Sequence, residues 1–378
     1  MAELAYEYRV SIDGVRSRFL DNGNGLQMHT LDAGPERPDA PVVVLLHGFP
    51  ELAFSWRQVI PRLANAGFRV IAPDQRGFGQ TSGWDARFEA DLSTFRFLNL
   101  VRDVMGLLAA LEVETVEAVV GHDFGASIAG YAALLRPDRF KRLVLMSAPF
   151  TGAPVLSADS LRPPDGVEGV TEALRRLPRP RKHYHWYYTR STANEQMVYC
   201  EQGVHDFLRA YFHHKSADWP NHPHELDGWT ADALSEMPTY YIMDALETMP
   251  EAVAHHMPGE ATIAQCDWLT EGELRVYSTE FQRTGFQGGL NWYRVRMHRP
   301  FNRELAVFAG MTIDIPSLFV SGAQDWGVYQ TPGALHAMQN RLCTNMETVD
   351  LVAKAGHWVQ QERGVEVADR LLDFLRKR

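Results

Sequence analysis

Asp123 stands between two glycines in Gly121-His122-Asp123-Phe124-Gly125, after the apolar run Val116 to Val120 and before the small-residue stretch Gly125 to Leu135. The G-x-D-x-G spacing has the form of a nucleophile elbow, a sharp strand-to-helix turn, with a carboxylate where serine is usual. Glycine suits the flanks because a side chain there would strike the neighbouring strand or helix. An aspartate is ionised at neutral pH, its reference pKa being about 3.9, so it attacks without first losing a proton to a base. Attack on an sp³ carbon expels a leaving group and leaves an alkyl–enzyme ester. A histidine is then free to activate water in a second step. Epoxide opening and halide displacement both fit. An epoxide oxygen leaves as an alkoxide and needs a proton donor; a halide needs N–H donors only. The structural alternative is an aspartate that caps the following helix. The buried strand before it and the small-residue helix after it favour the nucleophile.

The oxyanion formed when water attacks such an ester needs backbone donors. Leu45-Leu46-His47-Gly48-Phe49-Pro50-Glu51 directly follows an earlier strand, where the Phe49 amide would supply one donor and the Phe124 amide the other. A plain strand-ending turn is the structural alternative. An acid and then a histidine should follow the nucleophile along the chain. Asp325 lies just past a strand ending at Val320, and His357 just past one near Val349–Leu351. Both loops are at strand carboxyl ends, where α/β sheets hold ligands. Asp314 precedes its strand and Asp350 falls within one, so both read as structural. Of the fifteen histidines only His357 has this position. The pairs His213-His214, His222/His224 and His255-His256 lack metal-ligand spacing, so packing or surface roles are expected there and no metal or cofactor. Proton donors for an epoxide oxygen are available in Tyr184-His185-Trp186-Tyr187-Tyr188 and Leu290-Asn291-Trp292-Tyr293-Arg294. Tyrosine, with a reference pKa near 10, keeps its proton at pH 7. By composition the same clusters also suit the core of a cap.

These residues need a scaffold, and the chain's periodicity supplies one. GLQMHTL (25–31), Pro41 to Leu46, Phe68 to Ala72, Val116 to Val120 and Leu143 to Met146 read as strands, with helices at Phe95 to Leu111 and Gly125 to Leu135. Alternation stops near Ala148 and resumes after Arg303, with strands at Pro316–Val320 and Met346–Leu351 and helices at Pro332–Gln339 and Val365–Leu375. The pattern predicts an α/β fold with a doubly wound, mostly parallel sheet. Its core is 1–149 with 306–378, interrupted by a mainly helical cap at 150–305. The basic run Arg175 to Lys182 reads as a solvated linker. With 378 residues, 45% hydrophobic, and a formal charge of −10, the composition is that of a globular protein without a broad nucleic-acid footprint. No apolar run reaches the roughly 20 residues of a membrane helix, and Met1 to Phe19 lacks a secretory pattern. Three scattered cysteines suit a reducing cytoplasm. A homodimer is left open.

At this point the chain resembles the α/β-hydrolase-fold epoxide hydrolases, related to haloalkane and fluoroacetate dehalogenases, from about residue 20 to its end. His47 to Glu51 with Ser55-Trp56-Arg57 is similar to their HGFPE…SWR element, and Asp74 to Gly79 to their D-x-R-G-F-G turn. Gly121 to Ala126 resembles their GHD-x-GA elbow and Gly356-His357-Trp358 their terminal GHW. The resemblance implies an ether-bond hydrolase acting on small apolar or aromatic epoxides with water. Its LNWYR segment assigns one oxygen-holding tyrosine to Tyr293. The other matches Tyr184 best, with Tyr187 and Tyr188 as rivals. His47, Pro50, His122, His185, Trp186, Tyr187, Tyr188, Trp292, Trp326 and Trp358 are expected around the substrate. Two features depart from the pattern: Phe124 stands where tryptophan is common, and Tyr184-His185-Trp186 is similar to the halide-cradling segment of fluoroacetate dehalogenases. The alternative is therefore a dehalogenase with His185 and Trp186 as halide donors, although the arginines that grip a haloacid in that group are Phe124 and Ser127 here. A non-catalytic receptor on the same fold is the remaining alternative. The stretch 215–265 is longer than in smaller members and has no assigned purpose.

Overall fold

The computed structural model describes residues 12–154 and 166–377. The expectations for residues 1–11, 155–165 and 378 lie outside the described residues. Strands β1 (Val15–Asp21), β2 (Gln27–Ala33), β3 (Val42–Leu46), β4 (Arg69–Pro73), β5 (Ala118–His122) and β6 (Leu143–Met146) precede a long excursion. That excursion contains β7 (Arg181–His183) and β8 (Ile242–Asp244), after which β9 (Ser317–Gly322) and β10 (Met346–Val352) return to the main sheet. The main sheet has the order β1-β2-β4-β3-β5-β6-β9-β10. From β4 to β10 every pairing is parallel, whereas β2 runs antiparallel to both its neighbours.

The β-branched runs are central strands because both their faces are covered. Val42, Val44 and Leu46 of β3 join one apolar cluster while Val43 and Leu45 join the other, on the opposite face. The strand order reverses between β3 and β5, which opens a crevice at their carboxyl ends. β6 and β9 are hydrogen-bonded neighbours, with Leu143 opposite Ser317, so the chain leaves and re-enters the sheet at adjacent positions. The first apolar cluster continues without a break into the excursion, through Tyr184, Leu290 and Trp292.

The structure departs from the sequence expectations at four places. β1 is a strand although VRSRFLD has no apolar run: it is an edge strand, and Arg16 and Arg18 pair with Asp32 and Glu36. The excursion is mainly helical but carries the antiparallel pair β7–β8. The basic run is only partly solvated. Arg181 and Lys182 are buried in β7, where Arg181 donates to the Ile242 carbonyl and Lys182 to those of Ala245 and Glu247. The predicted helix 332–339 is two short turns, Ala334–Ala337 and Met338–Leu342.

Candidate active site

Asp123 sits at the tip of the turn between β5 and the helix Phe124–Leu135, with φ 53° and ψ −117°. A non-glycine residue there is strained, and strain of this kind persists only where the surroundings over-determine it. They do so through glycines. A Cβ on Gly121 would lie 2.1 Å from the Gly125 carbonyl oxygen, and one on Gly48 would lie 2.4 Å from Asp123 Cβ. The bare Gly48 backbone therefore lets the next amide reach the Asp123 carboxylate: Phe49 N donates to Asp123 Oδ1 at 3.0 Å. Phe124 opens the helix directly after Asp123, so its amide belongs to the first turn, whose N–H groups lack intrahelical acceptors.

His357 Nε2 lies 3.8 Å from Asp123 Oδ2, beyond hydrogen-bond reach, and it has no hydrogen-bond partner among the described residues. Its Nδ1 is 3.1 Å from Asp325 Oδ1. Asp325 is buried and accepts from Ser147 Oγ (2.5 Å), Ser321 Oγ (3.1 Å) and the Gly327 amide (2.6 Å). Burial works against its charge, but His357, Ser147 and the Gly327 amide outweigh it and hold the carboxyl down at about 2. Ser147, which also stands 2.8 Å from His357 Nδ1, was not singled out from the sequence. Its signal was available: it is the first polar residue past the carboxyl end of a buried strand. Burial, and then the charge of Lys215, push His357 below the ordinary histidine value, against the opposing pull of Asp325.

The loop bearing His357 is pinned from several sides. Glu362 accepts from the amides of Gly356 (2.9 Å) and Trp358 (3.0 Å), on either side of the histidine, and from that of Ala217 (2.8 Å). The His357 amide donates to the Lys215 carbonyl at 2.9 Å. Its carbonyl accepts from His122 Nε2 at 2.7 Å, while His122 Nδ1 donates to Glu51 Oε2 at 2.6 Å. Both partners of His122 are acceptors, so the ring needs both protons. Burial opposes this, yet Glu51, Asp123 and the His357 carbonyl raise it overall. Glu51, held at about 2 by His122 and the Gly48 amide in spite of burial, also accepts from Gln360 and Gln361. This buried knot ties the Gly48–Phe49 turn to the histidine loop. In the sequence Glu51 stands out only as part of the HGFPE element.

Several residues expected at the substrate make their contacts within the fold and are not part of the lining of the pocket over Asp123. His47 donates to the Gly48 carbonyl and accepts from the Gln75 amide, and burial keeps it neutral. Pro50 is buried within the turn. Trp292 Nε1 donates to the Arg76 carbonyl, and its ring backs Phe124 edge-on at 5.5 Å. Trp358 donates to the Phe212 carbonyl, and Trp326 packs on His224. Trp186 is stacked by Arg175 at 4.8 Å and Arg190 at 4.6 Å. Tyr187 lies against Lys182, and Tyr188 donates its hydroxyl to Tyr211.

The pocket over Asp123 is lined by Phe124, Ser127, Ala148, Pro149, Thr151, Tyr184, His185, Tyr293, Arg296, Gln330, Thr331 and Ala334. The Tyr184 and Tyr293 rings are 5.8 Å apart, and Tyr293 stands edge-on to Phe124 at 4.8 Å. Burial and then the Asp123 charge push both hydroxyls well above the ordinary tyrosine value. Tyr184 donates to Gln330 Oε1 at 3.1 Å. Tyr293 comes down on the core because its helix, Gln287–Met297, begins Gln-Gly-Gly. A Cβ on Gly288 would lie 2.0 Å from the Gly77 carbonyl oxygen, and one on Gly289 would lie 2.5 Å from the Phe49 ring. Lys215 was also missed. Its ammonium is buried among the rings of Tyr211, Tyr240, Tyr241 and Trp358 at 5.0–5.5 Å, and burial lowers it to about 8. No spacing rule links it to His357, since packing of the excursion alone brings them together.

The chain matches the family model of the alpha/beta hydrolase fold over residues 41–363. Epoxide hydrolase A of Mycobacterium tuberculosis (strain ATCC 25618 / H37Rv) is 33% identical over 376 residues, which is 96% of this chain and 98% of that one. A solved epoxide hydrolase from an endophytic Streptomyces superposes with a TM-score of 0.76 at 30% identity, covering 96% of each chain. Potato (Solanum tuberosum) epoxide hydrolase I gives 0.74 at 30% identity, covering 96% of this chain and 100% of its own. The chain thus belongs to the α/β hydrolase fold family and, within it, to the epoxide hydrolases.

Proposed function

We propose that this enzyme hydrolyses epoxides to vicinal diols through a covalent ester on Asp123. The observation that carries the reading is that Tyr184 and Tyr293 line one pocket with the Asp123 carboxylate. Asp123 Oδ2 attacks a ring carbon while the C–O electron pair goes to the epoxide oxygen, which takes its proton from the tyrosine pair. High hydroxyl pKa values suit that role, because both groups stay protonated until a stronger base, the alkoxide, develops. His357 Nε2 then removes a proton from water, whose oxygen attacks Asp123 Cγ. The charge develops on Oδ1, already held by the Phe49 amide, with Phe124 as second donor. As the tetrahedral centre collapses, the Cγ–O bond to the substrate breaks and the leaving oxygen takes the proton held on His357. The diol departs, a solvent oxygen stays in Asp123, and the remaining acid proton returns through water to the tyrosinate. Side chains and water complete the cycle.

The same reading takes 1–149 with 306–378 as the core and 150–305 as the cap of a cytoplasmic enzyme. Phe124, Pro149 and the tyrosine rings offer an apolar wall to an alkyl or aryl epoxide. Halide displacement is less well supported: Trp186, stacked between two arginines, is absent from the pocket lining. In ¹⁸O-water the first turnover should give unlabelled diol, with label appearing in Asp123 and then in later product. Solvent label in first-turnover diol would refute the ester route. His357→Gln should accumulate the ester, seen as an adduct mass on the peptide bearing Asp123.

A further inference from the structure

Arg296 is the single arginine or lysine among the described residues lining the pocket. It follows Tyr293 by three positions on the helix Gln287–Met297, so both side chains leave the same helical face. Its guanidinium carbon lies 5.6 Å from the centroid of the Phe124 ring, beside the nucleophile. No carboxylate among the described residues forms an ion pair with it, unlike Arg57 on Glu273 or Arg76 on Asp103. Its positive charge nonetheless reaches the site, helping burial to keep His183 and His185 neutral. The neighbouring lining is polar, with Ser127, Thr151, Gln330 and Thr331. A half-buried guanidinium without a counter-ion among the described residues, next to hydroxyl and amide groups, is a ready receptor for a planar anion, which it binds bidentately.

We infer that Arg296 is the counter-ion for a carboxylate on the substrate, so that the pocket selects epoxides bearing an acid group within a few bonds of the ring. This rests on the epoxide reading above. The apolar wall takes the alkyl or aryl part, the tyrosines hold the ring oxygen, and Arg296 holds the acid against repulsion by Asp123. A matched pair tests it: trans-3-phenylglycidate and its primary amide, equal in size and differing in charge. The wild-type enzyme should favour the acid in kcat/KM by about ten- to a hundredfold, with the preference shrinking as salt is added. Arg296→Met should collapse that ratio mainly through a higher KM for the acid, and Arg296→Lys should restore part of it. Equal rates on acid and amide in the wild type, or equal losses on both in Arg296→Met, would overturn the inference. Calorimetry with 3-phenylpropanoate, which has no epoxide, separates the two readings. Binding to wild type but not to Arg296→Met, with no diol from any epoxide, sinks the epoxide chemistry alone. Diol formation from neutral epoxides without carboxylate binding sinks the anion site alone.

Discussion

His357 can act as a base only when its Nε2 is unprotonated, and its surroundings favour that state. Burial and the Lys215 ammonium both disfavour the imidazolium, so ester hydrolysis should persist below pH 6.5 before an acid limb appears. Replacing Lys215 with methionine removes the second contribution. The imidazole pKa then rises and the acid limb of single-turnover ester decay shifts to higher pH; an unmoved limb would show that Lys215 does not act on His357. Tyr293→Phe deletes one of two proposed proton donors. It should slow ester formation by about ten- to a hundredfold, with little effect on ester decay, both read by stopped-flow fluorescence. Parallel losses in the two steps would mean that Tyr293 shapes the pocket and does not donate.

Asp123, Asp325 and His357 each lie just past the carboxyl end of a strand, whereas Tyr293 depends on how one helix meets the core. The helix Gln287–Met297 touches the Gly77 turn backbone to backbone, with room for no Cβ at Gly288. Gly288→Ala must lift the helix or displace the turn. Overpacking of this kind costs about 1–3 kcal/mol. Thermal unfolding of the variant should therefore come several degrees earlier, and ester formation should slow as Tyr293 moves off the nucleophile. The same substitution at Gly272, whose Cβ would meet nothing within 4 Å, should leave both measurements unchanged.

At the scale of the whole molecule, several buried histidines favour the neutral form, which predicts an acid-labile fold. Burial lowers His183 to about 3 and His214 to about 2, with His47, His185 and His357 shifted the same way. Their folded pKa values lie below the unfolded one near 6.5, so the unfolded chain gains protons first as pH falls. The stability they contribute is present above pH 6.5 and is lost below it. By about pH 4 His183 alone loses on the order of 3 kcal/mol. His122, raised by Glu51, runs the other way, but Glu51 and Asp325 add to the acid loss at still lower pH. The urea midpoint should fall steadily from pH 7 to pH 5; a flat profile would contradict the neutral-histidine assignment.

The nucleophile turn, the order Asp123–Asp325–His357 and the alternating core were legible in the chain because each rests on local rules. Sterics demand small residues around a strained turn, a buried strand demands a run of β-branched side chains, and loops at strand carboxyl ends demand nothing beyond chain order. β1 escaped notice because an edge strand satisfied by ion pairs has no apolar run to announce it. The choice among Tyr184, Tyr187 and Tyr188 was undecidable from spacing, since one helical turn puts all three on neighbouring faces. In the fold Tyr188 bonds Tyr211, Tyr187 lies against neighbouring Lys182, and Tyr184 lines the pocket, which supports Tyr184 as the proposed second donor. Ser147 beside Asp325 and His357, the caged Lys215 and the placing of Arg296 in the pocket are likewise products of contacts between distant segments. A one-dimensional pattern carries the chemistry of a turn, but the charge and shape of a pocket exist only once remote side chains have been packed around it.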